Sequence, residues 1–191
     1  GWPLDDHFPG GFYHKGIPNT YYSTPAPYSI PYRALYSKNV ENLFFAGRNI
    51  SMTHTAMSSI RVMATCTLLG EAVGKAASIA VKNCFTPHDV YCNKIDLLQN
   101  LLMNEDCFLP SKTREISSLC LNAKLNINSE VIRNGQDRAH RIYNTDENNC
   151  SYIANAGEQI CYSFSATNIA SVHIVFCSDL NRDTLPGTTC E

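Results

Sequence analysis

The sequence lacks the short motifs that identify several common kinds of site. No Gly-x-Gly-x-x-Gly and no P-loop occurs among its 10 glycines, so these 191 residues encode neither of the familiar glycine-rich phosphate cradles. A nucleophile elbow and the Ser-His-Asp order of hydrolases are also missing. No two of the 9 cysteines have C-x-x-C spacing, which excludes a zinc ribbon and a thioredoxin-type redox pair.

Charge is scarce and nearly balanced. Charged residues make up 17% of the chain and the net charge is -2, so we expect neither nucleic acid nor an anionic membrane surface as a partner. The weakly charged stretch 49–70 contains Arg61 and many hydroxyl groups, and we predict no membrane span there. The chain opens on Gly1-Trp2-Pro3, without a signal peptide or an initiator Met, as a piece of a longer protein would.

Cysteine is abundant but its role stays open at this point. Nine cysteines leave at least one thiol unpaired in a monomer. They are either small buried hydrophobic residues, such as Cys66 and Cys84 on helices, or members of structural disulfides. Their number alone does not assign the protein to a compartment.

The hydropathy pattern of the first half predicts turns, one strand and two helices. Residues 1–42 are rich in Pro, Gly and Tyr, which favours extended pieces and turns over a long helix. The apolar run 43–46 is typical of a parallel strand that is buried on both faces. Helices are predicted at about 58–82 and 87–103. The first is apolar around nearly its whole circumference, and therefore belongs inside a larger protein or an assembly.

The pattern changes after residue 103. Residues 104–114 have the composition of a linker between two domains, 1–103 and 115–191. From 115 onward, short apolar or alternating runs are separated by Asn, Asp and Gly clusters, which is typical of a small antiparallel β-sandwich. The predicted fold class is therefore α+β.

Two parts of the sequence resemble known families. The block LFFAGRNISMTHTAMSSIRVMATCTLLGEAVGKAASIA, with IPYR upstream of it, closely resembles the C-terminal flavin-contacting segment of FAD-dependent oxidoreductases. The resemblance implies the last strand, tight turn and helix of a two-dinucleotide-type flavin domain. The element VIRNGQDR and the later run VHIVFCSDLNR resemble discoidin or galactose-binding-like β-sandwich modules.

The flavoprotein resemblance implies particular site residues. Gly47 and Arg48 would meet the ribityl chain and diphosphate of FAD, and the helix start, capped by Ser58 or Ser59, would face the flavin pyrimidine edge. His54 is the candidate for proton transfer, with a structural role as the alternative. The cofactor contacts implied at the helix start are Ser59, Ile60, Arg61 and Val62, and the implied substrate contacts are Tyr32 and Arg33, which could equally brace the fold.

The function that follows is part of an enzyme and not a complete one. The chain is expected to be the C-terminal portion of an FAD-dependent oxidoreductase, with FAD bound only in the full-length parent and with an N-terminal FAD-binding region as partner. The substrate is an unidentified small molecule or carbohydrate, and self-association is expected for the chain alone. The alternative is a non-catalytic, carbohydrate-binding or accessory module of a polysaccharide-processing, lyase-like protein. The acidic run at Asp5-Asp6-His7 offers two ligands at best, so no metal site is predicted.

Overall fold

The chain combines helices with two small antiparallel sheets, which agrees with the predicted α+β class. The computed structural model describes residues 3–24, 27–110, 112–138 and 150–176. The strands are β1 (Leu4–His7), β2 (Asn19–Tyr22), β3 (Lys124–Leu125) and β4 (Tyr162–Ser163). The helices are α1 (His54–Ile60), α2 (Met63–Asn83), α3 (Pro87–Met103) and α4 (Ser118–Asn122).

The helix predicted at 87–103 is confirmed by α3, which packs against α2. Its start is fixed by a capping box, because the Thr86 side chain accepts from the Asp89 N–H while the Asp89 carboxylate accepts from the Thr86 N–H. Pro87 occupies the first turn, where no N–H is needed. Between the two helices lies the main core, formed by buried side chains of Ala76, Ile79, Ala80, Val90, Leu98, Leu102 and Cys107.

The single helix predicted at about 58–82 is wrong, because the chain forms two helices with a break at Arg61 and Val62. The first helix, α1, is capped by Thr53, whose Oγ1 accepts from the Ala56 N–H at 3.2 Å, so neither Ser58 nor Ser59 is a cap. Val62 then adopts an extended conformation with φ -73° and ψ 148°, and α2 starts at Met63.

The prediction of a parallel strand at 43–46 is also wrong. This segment is extended, but its ladder is limited to one antiparallel bridge between Tyr36 and Phe44. A strand needs a hydrogen-bonding neighbour along its length, and the described residues offer only the segment around Leu35, whose carbonyl accepts from the Phe45 N–H at 2.8 Å. Its two faces do pack, since Phe44 contacts the α2–α3 core and Phe45 contacts a second cluster around Leu69.

The first 42 residues form extended pieces and turns where they are described, as predicted. β1 and β2 pair as an antiparallel hairpin in which Asp5 lies opposite Tyr21. Short 3-10 turns occur at Gly11–Tyr13 and Tyr32–Leu35. Helix α1 packs against β1 and so joins this hairpin to the helical part of the fold.

The β-sandwich predicted from residue 115 is not confirmed. Within 115–138 and 150–176 the only sheet is the two-residue pair of β3 and β4. The apolar run at 118–127, which belongs to the predicted sandwich, begins with the helix α4, because the Ser117 hydroxyl accepts from the Cys120 N–H and starts a helix. Ile153 is 90% exposed and Phe176 is 83% exposed, so no second layer formed by described residues covers these two side chains. The resembling residues from Cys177 onward lie outside the described residues.

Arg114, at the end of the predicted linker, is held by the Asn134-Gly135-Gln136-Asp137 segment. Its Nη2 lies 2.7 Å from Asp137 Oδ2, and its N–H donates to the Gly135 carbonyl at 2.8 Å. The Arg114 side chain is only 6% exposed. This contact ties residue 114 to the following segment, while the domain boundaries themselves stay a prediction.

Among the described residues, the cysteines at positions 66, 84, 92, 107, 120 and 161 are free thiols. Burial of Cys84 was expected and is wrong, because this residue ends α2 in a left-handed conformation and is exposed. Cys66 is half-buried, whereas Cys107 is buried in the main core. Cys177 and Cys190 lie outside the described residues.

Helix α2 is long and apolar enough to cross a membrane when length and composition alone are considered. Such a helix is weak evidence for a span, because core helices of soluble proteins meet the same criterion. Only 22% of its most apolar window is buried among the described residues. The absence of a membrane span stays a prediction.

Candidate functional site

The turn at Gly47 and the start of α2 form one side of the candidate site. Ala46 is extended, and the chain then enters a 3-10 turn at Gly47–Asn49 that packs against α2. Gly47 has φ +83°, a left-handed conformation that side-chain-bearing residues rarely adopt. A Cβ atom built on Gly47 would find its nearest neighbour at 4.0 Å, the Cβ of Cys66, so the space beside this turn is open among the described residues.

The N-terminus of α2 is not capped by any side chain. Val62 occupies the cap position, and the first helical bond runs from the Cys66 N–H to the Val62 carbonyl at 3.0 Å. The N–H groups of the three residues between them therefore have no partner within the helix. Met63, at the first helical position, is 87% exposed. This end of a 21-residue helix carries the positive end of the helix dipole and suits an anion.

Of the implied cofactor residues, only Gly47, Arg48 and Val62 lie at the Gly47 turn or at the N-terminus of α2. Arg48 is exposed and forms no ion pair with any described residue. Ser59 and Ile60 are buried at the C-terminal end of α1, where Tyr28 Oη hydrogen-bonds Ser59 Oγ. The structure thus brings the turn and the α2 start together, while the contact of Ser59 and Ile60 with FAD stays a prediction.

Arg61 points away from that turn and toward the N-terminal hairpin. Its Nη2 lies 3.1 Å from Asp5 Oδ2 and donates to the Asp5 carbonyl at 3.2 Å. A hydrogen bond from the Asn19 side chain holds the pKa of Asp5 below its usual range, and the neighbouring His7 and Arg61 act in the same direction. This geometry favours an ion pair within the fold for Arg61, and its implied contact with the cofactor stays a prediction.

His54 has an acidic neighbour that the sequence pattern did not reveal. Its Nε2 lies 2.9 Å from Asp6 Oδ1, on the face of β1 opposite to the one that carries Asp5. The Oδ1 atom is buried and has no aligned hydrogen-bond donor among the described residues, so protonation of the imidazole turns this contact into an ion pair. The His54 side chain is 69% exposed, which leaves it accessible for proton exchange.

Tyr32 and Arg33 lie in an aromatic cluster against α3. Tyr32 Oη donates to the Pro87 carbonyl at 3.0 Å, and its ring is parallel to that of Tyr91 with a centroid distance of 6.3 Å. Burial raises the pKa of the Tyr32 hydroxyl. The Arg33 guanidinium lies 5.5 Å from the centre of the Tyr91 ring. These contacts favour the bracing alternative for both residues, and their contact with substrate stays a prediction.

Sequence reasoning missed Asp5 and Asp6 as partners of the implied site residues. Both were considered only as metal ligands, and the described residues contain no group of three or more His, Cys, Asp or Glu that is placed to hold a metal ion. The pairings with Arg61 and His54 each span about 50 residues. No local spacing signals such a contact, so only the assembled fold reveals it.

Comparisons with known proteins assign the family. Neither the curated proteins nor the solved structures contain a match to this sequence. A family model described as FAD dependent oxidoreductase matches residues 1–102. This range includes the hairpin, the Gly47 turn, α1, α2 and nearly all of α3. More than half of the sequence is therefore matched, and the chain belongs to the FAD dependent oxidoreductase family.

Proposed function

We propose that this chain forms the side of a flavin site that contacts the ribityl chain and isoalloxazine ring of FAD. The observation that carries the proposal is the uncapped N-terminus of α2 beside the open, left-handed turn at Gly47. Family membership supplies the cofactor class, and the geometry supplies the residues.

The residues present fit such a group. Gly47 leaves room for a ligand to approach the backbone, because no described side chain comes closer than 4.0 Å to a Cβ atom added there. The free N–H groups of the first turn of α2 are suited to a partial or full negative charge. Arg48 is exposed next to the turn and is able to pair with a diphosphate oxygen. When bound, FAD supplies the acceptor for a hydride or an electron pair.

His54, with Asp6 as its acidic neighbour, would transfer protons next to bound FAD. The Asp6 carboxylate lies 2.9 Å from the imidazole Nε2, which places an acidic group next to the histidine that would transfer the proton. Arg61 acts at a distance from the reacting atoms, since its guanidinium is held by Asp5. Its role in the proposal is to fix where α1 ends and α2 begins.

The remainder of the flavin fold would be supplied by residues outside this sequence. Helix α2 exposes a continuous stripe at helical spacing, formed by Met63, Thr67, Gly70, Gly74, Ser78 and Val81. A Cβ atom added at Gly70 or Gly74 would meet nothing within 4 Å among the described residues. We assign this stripe to the N-terminal FAD-binding region, whose backbone is able to approach the small residues closely. The chain alone is then expected to self-associate and to bind FAD weakly, which light scattering and an FAD titration test.

The deciding experiment compares two glycine substitutions in the full-length protein that contains this chain. Gly47 has φ +83° and Gly157 has φ +84°, and neither has a described atom closer than 4.0 Å to an added Cβ. Gly47→Ala and Gly157→Ala therefore impose the same kind of backbone strain, about 1–2 kcal/mol each. Only Gly47→Ala is expected to release FAD. Equal FAD retention in both variants would contradict the proposed site.

We also propose that residues 115–191 serve as an accessory module next to the oxidoreductase part. The exposed apolar side chains of Ile153, Val172 and Phe176 support a surface that packs on another part of the protein. The discoidin-like resemblance suggests the alternative, that this module binds a carbohydrate. A glycan array probed with the full-length protein separates the two, because specific glycan binding would favour the carbohydrate and its absence would favour packing.

A further inference from the structure

Tyr36, His88 and Cys92 form a hydrogen-bonded chain on the surface beside the start of α3. Cys92 Sγ lies 3.4 Å from His88 Nε2, and the other ring nitrogen, Nδ1, lies 3.1 Å from Tyr36 Oη. His88 and Cys92 are one helical turn apart on α3, which places both side chains on the same face. Tyr36 comes from a different element, 52 residues earlier in the chain.

The two hydrogen bonds are compatible with either tautomer of a neutral His88 when the thiol is intact. In the tautomer that can take up the thiol proton, the Cys92 S–H donates to Nε2, and His88 carries its hydrogen on Nδ1 and donates it to Tyr36 Oη. After the thiol proton moves to Nε2, the imidazolium donates to both the thiolate and Tyr36. Burial raises the pKa of Tyr36, so its oxygen stays a neutral hydroxyl and accepts in both states.

Aromatic and charged side chains surround the hydrogen bonds that join Tyr36, His88 and Cys92. The Tyr36 and Tyr91 rings flank the imidazole, with centroids 6.2 and 6.4 Å from it. The Arg33 guanidinium lies over the Tyr91 ring, 5.5 Å from its centroid. The Asp89 carboxylate is the neighbouring acidic group, and the backbone and side-chain hydrogen bonds from Thr86 hold the pKa of Asp89 low.

We propose that Cys92 is a reactive thiol site, activated by His88 and oriented through Tyr36, whose reagents are small disulfides. His88 takes the Cys92 proton, and the thiolate attacks one sulfur of the disulfide. A new S–S bond forms at Cys92 while the original S–S bond breaks, and the departing thiolate takes up the proton from His88. The exchange starts and ends with one disulfide and one thiol, so no further oxidant is needed. The site is exposed, which allows the reagent to approach.

Cys84 offers a matched control within the same chain. It is also an exposed thiol, at the C-terminal end of α2, and no described imidazole hydrogen-bonds its sulfur. An ordinary thiol is only a few per cent ionised at pH 7, so activation by a base raises the rate of attack by about tenfold. An ordinary thiol is largely ionised at pH 10 without the help of a base, so activation by a base gives no advantage there.

The experiment measures the modification rate of each cysteine in the 191-residue chain by mass spectrometry. Iodoacetamide and glutathione disulfide are the two probes. At pH 7 we expect Cys92 to react about tenfold faster than Cys84 with both probes, and at pH 10 the two rates should converge. In His88→Asn the pH 7 ratio should fall to near one. Tyr36→Phe should give an intermediate ratio, because it removes the hydroxyl and keeps the ring.

Three results would overturn the proposal. Equal rates of Cys92 and Cys84 in the unmodified chain at pH 7 would do so without any variant, which protects the test against a substitution that fails to fold. A ratio that persists at pH 10 would assign the difference to access instead of activation. An unchanged ratio in a folded His88→Asn chain, judged by its far-ultraviolet circular dichroism, would remove the imidazole from the explanation.

Discussion

Arg61 and Asp5, 56 residues apart, form the ion pair that joins the N-terminal hairpin to the junction of α1 and α2. The Arg61 side chain is 28% exposed and that of Asp5 is 18% exposed, so the pair is partly shielded from solvent. Arg61 also donates to the Asp5 backbone carbonyl at 3.2 Å. Two contacts from one guanidinium thus hold β1 against the point where the helix is interrupted.

The first prediction concerns acid stability. The pKa of Asp5 is lowered in the folded chain, so the carboxylate contributes stability above its unfolded pKa of about 3.9, and that contribution is lost as the pH falls through the lower, folded value. Asp5→Asn should therefore lower the melting temperature at pH 7 and should change it little near pH 2. Thermal unfolding followed by circular dichroism at both pH values measures this. An equal loss at both would mean that shape, and not charge, accounts for the effect of Asp5.

The sequence predicted α3 well because the signals for its start are local. It predicted the α1–α2 region poorly because the contact at the break, between Arg61 and Asp5, is distant in sequence. The start of α3 depends on Thr86, Pro87 and Asp89, which are close in sequence and carry a recognisable capping pattern. The break before α2 involves an arginine held by a distant carboxylate, and the apolar residues on either side continue the helical pattern. Local pattern alone therefore predicts one helix there.

The candidate site was predictable only where a local motif marks it. Gly47 and Arg48 follow an extended apolar run, and the motif predicted their position at a turn beside a helix. The register of the helix start was wrong by several residues, because Thr53 forms a better cap than Ser58 or Ser59. The free helix end consequently moved to Val62, where no polar side chain signals an N-terminus.

The second prediction concerns the contact between Gly135 and Arg114. A Cβ atom on Gly135 would lie 2.3 Å from the Arg114 carbonyl oxygen, and Gly135 also has φ +76°. Gly135→Ala should therefore destabilise the chain more than Gly157→Ala, which has a similar φ of +84° and open space around the new methyl group. We expect a difference of about 2 kcal/mol beyond the shared backbone strain. Urea unfolding of both variants measures it, and equal midpoints would show that the backbone at residue 114 moves freely.

The third prediction concerns the exposed stripe of α2. Gly70 and Gly74 lie inside a helix and face open space, so Gly70→Ala and Gly74→Ala should each stabilise the 191-residue chain by about 0.5–1 kcal/mol. In the full-length protein the added methyl groups would separate α2 from the backbone that we assign to this stripe, and FAD content should fall. Ser78→Ala, on the same stripe, serves as the control because it removes an atom instead of adding one. Stabilisation in both contexts would show that the stripe faces solvent in the full-length protein as well.

The last prediction uses Val62, because a single added oxygen should change stability and cofactor binding in opposite directions. Threonine has the shape of valine, and at this cap position its hydroxyl is able to accept from the free N–H groups of the first turn of α2. Val62→Thr should therefore stabilise the 191-residue chain by about 1 kcal/mol. In the full-length protein the same hydroxyl would occupy the N–H groups that we assign to FAD, so FAD should bind several-fold more weakly.

Val73→Thr is the control for this prediction, since it adds the same oxygen in the middle of α2, where the N–H groups are already bonded within the helix. It should not stabilise the chain, and it should leave FAD affinity close to that of the unmodified protein. The measurements are urea unfolding of the 191-residue chain and fluorescence titration of the full-length apoprotein with FAD. A Val62→Thr protein that is more stable and binds FAD as tightly as before would show that the α2 N-terminus does not contact the flavin.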